Sequence, residues 1–173
     1  TNSDWSSDVC SSDLMKRCRS ICCVFAMALG LSFGVSTDTQ AASSVKVIDG
    51  SQLTNDAESM GHNQKVARGE DLLTGYSKIV RMGPGQIYAG GTTIASHVVP
   101  EVGIGVMIER AKEEDTKWTF YDSWQKFNEN ADRASSKKYL DVEGDYYYRV
   151  RCIHSAGEDM SSSFTNGVYI EEP

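Results

Sequence analysis

The chain has 173 residues, with 17 Lys and Arg against 24 Asp and Glu, for a formal charge of −7. That balance argues against nucleic-acid binding through a basic face and against charge-driven binding to an anionic membrane. With 40% hydrophobic and 24% charged residues, the composition is that of an ordinary soluble protein, long enough for one domain with appendages.

Residues 1–14 (TNSDWSSDVCSSDL) are rich in Ser and Asp, lack Lys and Arg, and show no apolar period. They read as a disordered tail or a non-native segment, and they resemble translated sequencing adapter, so they are set aside from the fold. Residues 15–41 have the three parts of a secretory signal peptide. Lys16, Arg17 and Arg19 form a basic start, residues 21–35 (ICCVFAMALGLSFGV) an uncharged apolar stretch of 15, and residues 36–40 a polar end. A bilayer span needs about 20 apolar residues, so no permanent membrane anchor is expected. Thr39 and Ala41 supply the small side chains that place cleavage after Ala41. Cys22 and Cys23 lie at the start of the apolar run, whereas a lipidated cysteine follows it. Residues 42–173 keep a net charge of −6 and only Cys152 of the five cysteines, so a disulfide framework is excluded. Localisation is expected to be secreted, extracellular or at the cell surface.

Residues 42–75 are polar and carry scattered turn signals such as Asp49-Gly50, with apolar residues that fit no helical stripe. They read as an extended arm anchored by Leu72 and Leu73. From residue 76 onward, short apolar runs are separated by turn residues, the pattern of an all-β domain over 76–173. Strands are expected at 77–82, at 86–96 after the Gly83-Pro84-Gly85 turn, and at 102–110 after a break at Pro100. In 102–110, Val102, Ile104, Val106 and Ile108 alternate with Gly103, Gly105, Met107 and Glu109, a half-buried strand with an aliphatic inner face. Further strands are expected at 118–125, 136–142, 146–155 and 167–171. Their number and spacing predict a β-sandwich.

The parity of Leu140, Val142, Gly144, Tyr146, Tyr148, Val150 and Cys152, followed by Ile153-His154-Ser155-Ala156-Gly157, resembles the entry into the penultimate strand of fibronectin type III modules. The resemblance implies an Ig-like antiparallel sandwich. It also implies that Tyr146 is its tyrosine corner, a buried ring whose hydroxyl bonds backbone upstream. The runs Arg68 to Ser77, Gly83 to Ala95 and Tyr146 to Ala156 resemble a family of small secreted proteins of gut Clostridia and related Firmicutes with no established activity. That likeness implies secretion and an all-β domain, and no catalytic residue.

Cys152 and His154 lie two apart on one strand face, about 7 Å apart at the backbone, too far for easy nucleophile–base contact. Cys152 is expected to fill a small core position. His62, His97 and His154 fit no metal-ligand spacing. Asn128-x-Asn130-x-Asp132 lacks the Gly and Glu that a calcium loop requires at its sixth and twelfth positions. The glycines at 83, 85, 90 and 91 are followed by no helix to receive a phosphate. No cofactor, metal or catalytic residue is expected. The aromatic cluster Trp118, Phe120, Tyr121, Trp124 and Phe127 has two readings. In one it is a stacking platform, with Trp118, Tyr121 and Trp124 as binding residues; in the other, one parity packs the core and the other shields an edge strand. The sequence thus predicts a secreted, non-enzymatic β-sandwich module that contacts an extracellular protein or glycan. A carbohydrate-binding module using Trp118–Trp124 is the alternative, and an unusual hydrolase using His154 or a carboxylate pair is a third reading.

Overall fold

A computed structural model describes residues 45–63 and 69–173, all within the compact unit Ala42–Pro173. The adapter-like segment (1–14) and the signal peptide (15–41) expected from sequence lie outside the described residues. Every described element is a strand: β1 Val47–Ile48, β2 Ser51–Thr54, β3 Glu58–His62, β4 Leu72–Gly83, β5 Gln86–Ala111, β6 Thr119–Asp141, β7 Tyr146–Ala156, β8 Asp159–Phe164 and β9 Gly167–Ile170. Among the described residues, no helix is long and apolar enough to cross a membrane.

The strands form one mixed sheet in the order β1-β2-β9-β7-β5-β4-β3, with β6 on β5 and β8 on β7. All neighbours are antiparallel except β2 and β9, which run parallel. This corrects the expected pair of stacked antiparallel sheets: a single sheet curls on itself as a half-barrel. The cause lies in β5 and β6, of 26 and 23 residues. β5 pairs with β4 up to Ala95 and with β7 from Val102, while β6 follows its other edge almost throughout. The ladder shifts register between Ile94 and Val99, where the ribbon bends. Asn130, with φ 47°, marks the corresponding bend in β6. Pro100 does not end the strand as expected. It falls where β5 has left β4 and not yet met β7, on the stretch with least need of a ladder donor. The polar residues 128–133, expected as a loop between two strands, carry β6 through the bend for the same reason: β5 stays beside them.

The bend folds one half of the sheet over the other, and the core fills the space between. A Cβ added to Gly91 would lie 2.7 Å from Cys152 Sγ and 3.1 Å from Ile104 Cδ1, so the two halves of β5 approach across it. The core gathers Ile79, Ile87, Ala89, Val102, Ile104, Val106, Ile108, Tyr148, Val150 and Cys152, the inward parity read from 102–110 and 146–152. The β4–β5 connection is a two-residue Pro84-Gly85 turn, with Gly85 at φ 65°, where a type II turn requires a left-handed residue.

Residues 45–63 are built into the sheet. Asp49-Gly50, with φ 45° and 76°, makes the primed turn that a two-residue hairpin prefers and joins β1 to β2. β3 pairs along β4. Leu72 packs against the core, and its N–H and that of Asp71 donate to Asp159 Oδ2 at 3.0 and 2.7 Å. Leu73 is exposed.

The tyrosine-corner bond is made by Tyr148, not Tyr146. Tyr148 is buried, and its Oη donates to the Glu143 carbonyl at 2.8 Å. Tyr146 is half-buried beside it, with the Arg110 guanidinium over its ring at 4.4 Å. The two share a parity, and the ring further along the strand is the one that reaches back to the turn.

Candidate functional site

The curl gives β5–β8 an inner face in the core and an outer face turned to solvent. Cross-strand rows set out the outer face: Phe127, Gly103, Ser155 and Met160 form one, and Gln125, Gly105, Ile153 and Ser162 the next. Ser123, Met107, Arg151 and Phe164 follow, then Phe120, Glu109 and Arg149. Phe120, Phe127, Ile153, Met160 and Phe164 are 42–64% exposed and share this one face. Single exposed apolar side chains are ordinary, whereas a set gathered on one face marks an interaction surface.

A groove of about 360 Å³ crosses the face, bordered by Met107, Ser123, Trp124, Gln125, Arg151 and Ile153. Gly105 is its floor: a Cβ added there meets nothing closer than Ile153 Cβ at 3.8 Å, so the missing side chain is what opens the groove. Gly103, one row on, is instead roofed by Phe127, whose ring a Cβ would meet at 2.5 Å.

At the other end stands a buried ionic knot. Arg149 is fully buried, and its Nε donates to Glu109 Oε2 at 2.7 Å. Its other nitrogens reach Asp49 Oδ2 at 2.8 Å and, at 3.0 Å, the Asp49 carbonyl and Ser51 Oγ. The guanidinium lies over Trp118 at 4.6 Å and near Phe164 at 5.8 Å. Arg151 donates to the same Asp49 Oδ2 at 2.7 Å. The Arg149 hydrogen bond, with the charge of both arginines behind it, lowers the Asp49 pKa below the ordinary carboxylate value. Two cations and two carboxylates cancel, so the groove presents a neutral, mainly apolar wall.

Each binding aromatic expected from sequence is tied into the structure. Trp118 is half-buried in a small outer cluster with Ile48, Leu53, Ala111 and Tyr147, and its Nε1 donates to the Ile48 carbonyl at 2.8 Å. Trp124 turns inward opposite Val106, donates to Ser136 Oγ at 2.9 Å, and has Lys138 Nζ over its ring at 4.3 Å. Tyr121 stands edge-on to Tyr148 at 5.4 Å. A register shift opposite Ile108 and Glu109 accounts for the change of parity. Beyond it Phe120 faces outward and Trp124 inward, although an unbroken strand would put them on one face. The exposed rings of β6 are Phe120, Phe127 and Tyr139. The parity of Ile153, opposite to that of Cys152 in an expected strand, was the available signal for the outer face.

Cys152 is fully buried, and burial pushes its thiol up to about 12. His154 is also fully buried and bonds Thr93 Oγ1 at 2.9 Å and Ser163 Oγ at 2.8 Å. The single Thr93 hydroxyl proton goes to the Gly103 carbonyl at 2.8 Å. Nδ1 of His154 must therefore donate to Thr93, and Nε2 accepts from Ser163. This serine–histidine pair is sealed in the core, where it fastens β5, β7 and β8. Among the described residues, no group of three or more His, Cys, Asp or Glu is placed to hold a metal ion. Comparison with protein-family models, curated proteins and solved structures finds no match to this chain.

Proposed function

We propose that the chain is a secreted, non-catalytic β module that binds a protein partner through the outer face of β5–β8. The observation that carries this reading is the gathering of Phe120, Phe127, Ile153, Met160 and Phe164 on one sheet face, around a groove floored by Gly105. The leader-like sequence at residues 15–41 and the likeness to small secreted Firmicutes proteins support the location. The tyrosine-corner bond of Tyr148 supports an Ig-like ancestry for the β7 entry.

Four strands about 4.8 Å apart, over six residue steps of about 3.3 Å, give a face of roughly 400 Å². A stable complex buries about 800 Å² on each side. The expected complex is therefore reversible, with an apolar anchor seated over Gly105 and Arg151 marking the polar rim.

The test is selection of a displayed peptide library against the folded protein, repeated with Ile153→Asp and Phe127→Asp. Enrichment of apolar sequences that both variants lose, with unfolding midpoints unchanged, supports the reading. Absence of enrichment, or equal binding by the variants, refutes it.

A further inference from the structure

The other half of the sheet has an outer face of different chemistry. Its rows run His62, Tyr76, Thr92 and Ser135, then Met60, Lys78, Gly90 and Lys137, then Glu58, Val80, Tyr88 and Tyr139. Tyr139 is 65% exposed and meets the half-buried Tyr88 edge-on at 5.4 Å. One row beyond the lysines, His62 and Tyr76 form a second ring pair at 6.2 Å. In the middle row only Gly90 separates Lys78 from Lys137. A side chain there would meet the Ser136 carbonyl at 2.5 Å, so nothing rises between the lysines, whose backbones lie about 10 Å apart. Lys78 is paired with Glu58 at 2.8 Å. Lys137 and Arg133, both on the outward parity of β6, carry no ion pair among the described residues.

We propose that this face binds an acidic polysaccharide, its sugar rings against Tyr88, Tyr139 and Tyr76 and its carboxylates on Lys137 and Arg133. A phenol ring offers an apolar face with a polar tip, which suits a ring that is apolar on its faces and hydroxylated at its edge. The cations on a chain of net charge −7 supply the complement to an anionic ligand. They are too few to track a phosphate backbone, so a nucleic-acid strand is disfavoured. The site is independent of the apolar face of β5–β8 and does not use Trp118 or Trp124.

The test is affinity electrophoresis of the folded protein in gels containing polygalacturonate, a neutral β-glucan, or oligo(dT). The variants are Lys137→Glu and Tyr139→Ala, both at exposed positions, with Ile153→Asp as a control on the other face. Polygalacturonate is expected to retard the wild type and Ile153→Asp alike and the two variants about tenfold more weakly, the scale of one lost charge-assisted or stacking contact. Retardation should fade as salt rises. The proposal is overturned if polygalacturonate retards nothing, or if Lys137→Glu is retarded as strongly as wild type. It is also overturned if the neutral glucan binds as well, or if oligo(dT) binds more tightly. Loss of peptide binding in Ile153→Asp leaves this result untouched, so the two sites fail separately.

Discussion

Replacing Arg149 with Met removes the charge at the centre of the ionic knot while keeping most of the side-chain volume. Asp49 loses little, because its carboxylate is 64% exposed and water takes over the lost bond. Ser51 keeps its own donation to the Thr165 carbonyl at 2.7 Å. Glu109 bears the main loss. Only 13% of its side chain is exposed, and its remaining cation, Arg151 Nε, stands 3.7 Å away. Breaking a buried pair by removing one partner costs about 3–5 kcal/mol. The Trp118 contact adds about 1 kcal/mol, partly recovered by methionine packing on the same ring. The expected loss is therefore about 3–5 kcal/mol, a large share of the roughly 5–15 kcal/mol that holds a domain together. Urea unfolding followed by tryptophan fluorescence reads it, and the β1–β2 hairpin should become the first site of proteolysis. Adding Glu109→Gln to Arg149→Met should restore part of the loss, because it removes the stranded charge. A single-variant cost below about 1 kcal/mol, or a double variant whose losses simply add, would refute the assignment of Arg149 as the tie between hairpin and sheet.

Gly75→Ala places a methyl 2.4 Å from the His154 ring, which two hydrogen bonds hold in place, so a loss of about 1–3 kcal/mol is expected in the same urea assay. Thermal unfolding of the wild type should also depend on pH through His154, whose pKa burial lowers from 6.5 to about 4. The folded state resists the charged form. The stabilisation from this source is complete above about 6.5 and is lost as pH falls towards about 4, for roughly 3 kcal/mol in all. His154→Gln should lack that slope, and an unchanged slope would remove His154 as its cause.

How much of this was legible in the sequence depends on the element. The inward parity of Val102, Ile104, Val106 and Ile108 is that of the structure, where all four are buried, because an unbroken strand with one partner face obeys strict alternation. The same rule does not by itself place Trp124, since the register shift near Ile108 is invisible without the partner strand. Pro100 read as a break because proline removes a donor, but that loss costs nothing where the strand has left one neighbour and not reached the next. Tyr146 and Tyr148 could not be told apart by parity; only the reach of the hydroxyl to the Glu143 carbonyl selects Tyr148. The strands β1–β3 read in the sequence as part of a polar arm because short strands with one exposed side carry few apolar residues. Their pairing comes from β9 and β4, far along the chain.

The two outer faces follow from one structural cause. β6 carries one alternation through the bend, while β5 reverses its inward parity across the register shift between Ile94 and Val99, so each half presents its own outward side chains to solvent. In β6 that alternation supplies Phe127 before the bend at Asn130, joined by Phe120 across the register shift, and Arg133, Lys137 and Tyr139 after the bend. A single strand therefore builds an apolar face at one end and a cationic, tyrosine-lined face at the other. β5 adds a glycine to each, Gly105 in the first and Gly90 in the second, where a side chain would either fill the groove or collide with β6. Core packing does not account for this division, since the outward residues of β6 make no part of the buried cluster. The two proposed sites, one on each side of the bend, rest on this difference between the halves.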